Sequence, residues 1–259
     1  MKYTDEILAK IRDIVESGYY QRLAPPPMEK KSLCERIESI KTQGDLPIIG
    51  EVSTALPVRG LLMPSRKYAS ELIERIANSY ELCALDLWVE PREHAGDLRW
   101  LAKELRIPLI HNDWIIDSRQ IVGGGAIVLD ISLINYANAD LHELVETAHE
   151  NDMEAIVQVR NDDDMTEAKK SEADCIMINN YGRNGHADIS TSINALEKNG
   201  TGRPVISAHG ITNAQDVRSL IVAGVSAIEI EATVTCNGSF EKMLGSVRAA
   251  VKGKSADEN

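Results

Sequence analysis

Five carboxylates in this sequence sit at strand positions from which they would point into one enclosed space. Side chains alternate along a strand, so an apolar set on one face turns the residues between its members to the other. In Ala227–Glu231, Ile228 and Ile230 form the apolar face and turn Ala227, Glu229 and Glu231 inward. Ile127, Leu129 and Ile131 do the same for Asp130, Cys83, Leu85 and Leu87 for Asp86, and Gly50 and Val52 for Glu51. Arg160 is the clearest cation on that side. Carboxylates this close cannot all stay ionised without a counter-charge. A bound cation, an amine ligand, or protonated and hydrogen-bonded carboxyls would each resolve the repulsion, as would pairing with Arg160, Asn112 and Gln158 in a closed polar core. Oxygen donors suit a hard divalent ion such as Mg²⁺, Mn²⁺ or Ca²⁺; the sequence leaves both the metal and its ligands open.

Other chemistry is sparse. His142 and His149 fall on the solvated side of a helix, and His111 on the helix-facing side of a strand. His209, in a turn after a strand, and His186, in the polar loop Tyr181–His186, are the two histidines placed to act on a ligand. The four cysteines Cys34, Cys83, Cys175 and Cys236 form no C-x-x-C pair, so buried reduced thiols are expected. Gly123-Gly124-Gly125 lacks nucleotide-binding spacing and leads into a strand, which makes it a turn. No Ser–His–Asp or Cys–His arrangement can be argued to meet.

These residues are strung along a repeated strand-then-helix pattern. Pro47–Pro57 reads as the first strand, with Glu51 and Ser53 toward its C-terminal end, and a helix follows over Tyr68–Tyr80. Further strands are expected at Leu82–Trp88, Ile107–Asn112, Ala126–Ile131, Ala155–Val159, Cys175–Asn179, Pro204–Ala208 and Ala227–Glu231. Helices fall between them at Asp97–Leu105, around Leu141–Ala148, at Met165–Ser171 and after a Thr212-x-x-Gln215 capping box, and a last one carries Phe240, Met243, Leu244, Val247 and Val251. Eight such units favour a (β/α)₈ barrel (TIM barrel) over an open sheet, with the site at the C-terminal ends of the strands. Residues 1–45 form an appended helical segment: Thr4–Glu16, the extended Pro25-Pro26-Pro27, and a helix over Lys31–Thr42. The barrel takes 46–259, ending in the polar tail Lys254–Asn259.

At 259 residues and 43% hydrophobic composition, one large core is possible. A net charge of -12 argues against a nucleic-acid partner and against anionic membranes. There is no long apolar run and no signal core at the start, so a soluble cytoplasmic chain is expected, acting on a small-molecule ligand or a protein partner, with its oligomeric state open.

Three words, in order and at family spacing, resemble indole-3-glycerol phosphate synthase: Leu109–Ile116, Ile178-Asn179-Asn180 and Ser207–Thr212. The resemblance covers nearly the whole chain and implies a (β/α)₈ barrel, a carboxy-lyase of tryptophan biosynthesis and no required cofactor. The family's first-strand Glu is kept as Glu51 and its sixth-strand Asn as Asn179. Where the family has Lys or Glu, this chain has Ser53, Asn112, Gln158 and Ala208. Asn and Gln cannot exchange a proton near neutral pH, and each lost acid–base group costs about 10²- to 10⁴-fold in rate. Gly210 survives in the family's phosphate-binding turns, but Glu231 and Ala232 replace its Gly-Ser pair. A carboxylate about 4 Å from a phosphate costs on the order of 4 kcal/mol per charge pair near a protein surface. The expectation is a divergent member with the parent reaction lost and the mouth rebuilt for a small or cationic ligand. The alternatives are a non-catalytic assembly or regulatory subunit, and a still-active synthase.

Overall fold

The computed structural model describes residues 4–23, 31–53, 55–56, 60–61, 71–76, 82–89, 106–123, 125–182, 185–198, 200–236 and 238–253. The Pro25–Pro27 run, Pro57, the Asp97–Leu105 helix, the Lys254–Asn259 tail and the ends of the Tyr68–Tyr80 helix lie outside them.

The chain opens with α1 (Asp5–Glu16), capped by the Thr4 hydroxyl on Ile7 N–H at 3.3 Å, then α2 (Tyr19–Arg22) and α3 (Leu33–Thr42). It continues through β1 (Ile48–Val52), the short β2 (Ala55–Leu56) and β3 (Gly60–Leu61), α4 (residues 71–76), β4 (Leu82–Trp88) and β5 (Leu109–Asn112). Next come β6 (Ala126–Asp130), α5 (Ile131–Ala137), α6 (Leu141–Glu150), β7 (Glu154–Val159), α7 (Asp162–Lys170), β8 (Cys175–Asn179) and α8 (Ser190–Lys198). The last elements are β9 (Val205–Ala208), α9 (Ala214–Ala223), β10 (Ala227–Ile230), α10 (Ala232–Thr235) and α11 (Phe240–Val251). Eight parallel strands close in the order β1-β10-β9-β8-β7-β6-β5-β4, the (β/α)₈ barrel expected.

Alternation sorts the strand residues as anticipated, with one exception. Ile49, Ile110, Val128, Ile156, Ile206 and Ala227 fill the interior. Ile127, Leu129 and Val157 pack outward beneath α6 and α7, and Leu85, Leu87, Ile228 and Ile230 face outward into one cluster with residues of α4, α9 and α11. The exception is Cys83, expected on the outer face but found in the interior cluster. Ile48 pairs with Leu82 and Ile49 with Ala84, so Cys83 is an extra residue in a β-bulge and the phase slips by one.

Several boundaries move for local reasons. The first strand stops at Val52, and Ala55–Leu56 turns back to pair antiparallel with Gly60–Leu61. The third begins at Leu109 rather than Ile107. Ile131 is not strand, because the Asp130 carboxylate caps α5 by accepting from Leu133 N–H at 3.3 Å. The capping box ahead of α9 is Asn213 with Asp216, one residue beyond the expected Thr212/Gln215 pair; Thr212 instead donates to Asp216 from both N–H and hydroxyl. Helices α2, α5, α8 and α10 have no clear apolar stripe in the sequence; in α8 the one buried residue is Ser192.

The N-terminal helices reach both ends of the barrel. Ile11, Ile14, Val15 and Tyr20 pack on Trp114 and Leu133, beside the C-terminal ends of β5 and β6, and the Tyr20 hydroxyl donates to Asp113 at 2.8 Å. Helix α3 closes the opposite end, where Leu33 and Ile37 join the interior cluster. Its N-terminus is anchored by Glu154, the first residue of β7, whose carboxylate accepts from Ser32 Oγ at 2.6 Å, Leu33 N–H at 2.5 Å and Cys34 N–H at 3.4 Å. A carboxylate at that pole is also favoured by the helix dipole. Glu154→Ala leaves these donors without their acceptor, so it is expected to lower unfolding stability by about 2 kcal/mol, read as a lower midpoint in urea at unchanged slope.

Candidate functional site at the barrel mouth

The inward polar residues separate into two arcs. On the first, Asp130 is cross-strand neighbour to Gln158. Its Oδ2 accepts from Arg160 Nη2 at 2.6 Å and from Gln158 Nε2 at 2.7 Å, and Asn179 Nδ2 donates to Gln158 Oε1 at 3.2 Å. Asn179 Oδ1 accepts in turn from Tyr181 N–H at 3.0 Å. The Asp130 carboxylate is paired within this arc and does not join the other carboxylates in one crowded space.

The second arc holds Glu51, Asp86 and Glu229. Glu51 and Asp86 are register partners on β1 and β4, and Glu229 on β10 is register partner to Ile49, the inward residue one step below Glu51. Glu51 is 4% exposed and held at both oxygens: Oε1 accepts from Trp88 Nε1 at 2.6 Å and Oε2 from Ala232 N–H at 2.7 Å. Asp86 is fully buried and accepts from Asn112 Nδ2 at 2.9 Å. Among the described residues its Oδ1, and Oε2 of the buried Glu229, meet no N–H or hydroxyl donor.

Burial pushes the Asp86 carboxyl well above its ordinary pKa, reinforced by the charge of Glu51 and offset in part by hydrogen bonds with Glu229 and Asn112. Burial pushes Glu229 up too, with the charges of Asp86 and Glu51 and its hydrogen bond to Asp86 acting the same way. Two carboxyls that face one another away from water satisfy each other by sharing a proton.

His209 completes this arc from the turn after β9. Its backbone is left-handed, φ 68°, as is that of Gly210, φ 73°. A Cβ on Gly210 would lie 2.7 Å from that of Ala187, so only glycine passes there. Asn180, which the sequence reading did not single out, donates to the His209 carbonyl at 3.0 Å and to Ser207 Oγ at 3.0 Å, fixing the turn. The ring lies 5.0 Å from that of Tyr181, and its buried Nδ1 has no hydrogen-bond partner among the described residues. Burial holds the imidazole below its ordinary pKa, against the opposing pull of Glu51 and Glu231. One ligand atom from each of Glu51, His209 and Glu229 falls within 4.8 Å of the others.

Other expected residues lie elsewhere. Glu231 lies one residue past the strand: β10 ends at Ile230, and Glu231 precedes α10 at the rim, accepting from the Tyr181 hydroxyl at 3.0 Å and from Thr233 Oγ1, where its charge still acts on Glu229 and His209. Ser53 is buried just after β1, its carbonyl taking the Cys236 thiol. Gly210 lies beside Ala187 rather than in the acidic arc. His186 is exposed on the loop closed by the Tyr181–Ala187 bridge and is not among the converging ligand atoms. His111 is buried on the outer face with Asp113 at 3.8 Å. Trp88 was missed, although it is in phase with Asp86 on the same strand and alternation alone turns it inward.

A family model described as indole-3-glycerol phosphate synthase matches residues 1–245. A protein of that name from Acetivibrio thermocellus is 28% identical over 248 residues, covering 91% of this chain and 92% of its own. One from Methanocaldococcus jannaschii is 29% identical over 202 residues, covering 70% and 74%. Among solved structures, N-acetylmannosamine-6-phosphate 2-epimerase from Clostridium perfringens aligns with a TM-score of 0.58 at 12% identity, over 82% of this chain and 95% of its own, a likeness of fold alone. No helix among the described residues is long and apolar enough to cross a membrane.

The raised pKa values carry a sign. Above the ordinary carboxyl range, the folded chain keeps a proton that the unfolded chain has released, so stability falls as pH rises toward the folded-state values. Glu229→Gln removes one member of the strained pair. In EDTA it is expected to flatten the decline in thermal midpoint above about pH 5 and to be more stable than wild type at pH 8 by on the order of 1–2 kcal/mol. A variant that melts with the wild-type pH profile would show that the two carboxyls do not share a proton.

Proposed function

From the premise that this chain belongs to the indole-3-glycerol phosphate synthase family, we propose that it has left the parent carboxy-lyase reaction and keeps the barrel mouth as a site for a small cationic ligand. The observation that carries this is the set of groups standing where the family resemblance expects proton donors and acceptors. Asn112 donates to Asp86, and Gln158 is tied between Asp130 and Asn179. Ala208 packs in the apolar interior. Glu51 has both oxygens engaged. Neither amide exchanges a proton near neutral pH.

Phosphate binding is disfavoured by the same arrangement. A short helix at the end of the last barrel strand commonly receives phosphate on its N-terminal N–H groups. Here the Ala232 N–H already donates to the Glu51 carboxylate, and Glu231 stands immediately before it. Two anions would meet a third.

A second reading, retention of the parent reaction, is favoured by the names of the relatives and by the Asp86–Glu229 pair, which keeps one exchangeable proton at the mouth. Turnover separates the two. The purified protein is expected to show no measurable conversion of the parent substrate and not to support growth of a tryptophan auxotroph lacking the synthase; growth on the unaltered gene would overturn the proposal. Inorganic phosphate and sulfate are expected to leave the thermal midpoint unchanged at neutral pH, and a saturable rise would show that the Ala232 N–H can be released to an anion.

A further inference from the structure

We propose that Glu51, Glu229 and His209 bind one divalent transition-metal ion at the barrel mouth, leaving at least one coordination position for a small oxygen or nitrogen ligand. This rests on the preceding reading that the mouth takes a cationic species, and it names the species.

The three side chains arrive from separate elements, β1, β10 and the turn after β9, and present ligand atoms within 4.8 Å of one another. Convergence of acidic groups alone would not distinguish a site from a polar core. The orphaned atoms do. Among the described residues the buried His209 Nδ1 meets neither donor nor acceptor, and Glu229, 1% exposed, has the Asp86 carboxyl facing it but no N–H or hydroxyl donor at Oε2. Leaving such atoms unpaired is costly, so nearly all buried polar groups in folded proteins find a partner. A metal ion is one partner that both a carboxylate and an imidazole nitrogen accept.

Glu51 has the bonding expected of an oriented ligand. The Trp88 indole and the Ala232 N–H each use one lone pair of its oxygens, and an ionised carboxylate has about four. Such outer hydrogen bonds aim a ligating group and set its basicity. Charge balance favours a divalent over a monovalent cation: with the shared proton on Asp86, ionised Glu51 and Glu229, a neutral imidazole and a doubly charged ion sum to zero, whereas an ammonium group leaves one negative charge without a partner.

The imidazole also revises the choice of ion. Carboxylates alone suit Mg²⁺ or Ca²⁺, but a nitrogen among three protein ligands moves the preference to Zn²⁺, Co²⁺, Mn²⁺ or Fe²⁺. Three protein ligands with an open position is the arrangement of zinc sites that bind a further small molecule.

The test uses Co²⁺ as a visible probe on the EDTA-stripped full chain. Wild type is expected to take up one equivalent with d–d absorption bands that Zn²⁺ abolishes and Mg²⁺ and Ca²⁺ do not. His209→Ala and Glu229→Gln should each weaken Co²⁺ binding by more than about 100-fold while melting cooperatively, and His186→Ala, on the exposed loop, should bind as wild type does. Absence of stoichiometric uptake, or bands undiminished in His209→Ala, overturns the proposal. A thermal shift by diamines without one by Co²⁺ or Zn²⁺ also overturns the metal, but leaves a cationic ligand in place. Conversion of the parent substrate by metal-free protein would instead remove the reading on which the proposal rests.

Discussion

The carboxylate of Glu51 joins the beginning of the barrel to its end. Its residue lies on the first strand, one oxygen is held by the indole of the adjacent β4 and the other by the first N–H of the helix after the last strand. A parallel barrel closes by backbone pairing of β1 with β10, but that pairing covers only Ile48 to Gly50. Above it the Glu51 side chain continues the seam. The same contact supplies a negative charge to the positive pole of α10 from within the protein. The second arc at the mouth is arranged around that anion: Asp86 beside it in register, Glu229 below, and His209 facing it.

Division of the mouth into a neutralised arc and an acidic one follows from where the nearest cation can reach. Arg160 follows β7, close enough to Asp130 on neighbouring β6 for a 2.6 Å contact. Across the barrel, Glu51, Asp86 and Glu229 have amide, indole and imidazole neighbours, and a shared proton in place of an ion pair. An ion pair buried with good geometry stabilises little relative to apolar packing, whereas a buried charge without a partner is costly. The two arcs therefore differ in how far the electrostatics is resolved by the chain itself.

Much of this was legible in the sequence because strand side chains have a strict period. The inward turn of Asp86, Asp130 and Glu229 required only the apolar residues on either side. The errors fall where the period is interrupted. Cys83 went to the wrong face because a bulge leaves no mark in composition, and Glu231 was counted as strand although β10 ends one residue earlier. His209 could be placed in a turn but not aimed. Its direction depends on two successive left-handed residues, and Gly210 was the sole hint of them. The part of Trp88 needed no structure to foresee, only the same alternation applied to a residue that does not titrate.

The anchoring of α3 sets an order of events. Ser32 and Glu154 are 122 residues apart, and Cys34 reaches Asp174 and Cys175 from farther still, its Sγ 3.1 Å from that of Cys175. The floor of the barrel is thus laid by a segment translated before most of the walls exist. Contacts so distant along the chain form only after a large loop has closed, and folds dominated by them assemble slowly. On the ribosome, β1 and β4 can cover only part of the apolar face of Leu33 and Ile37, and the rest waits until β7 and β8 have emerged. During that interval it is surface on which a chaperone, or another nascent chain, can take hold.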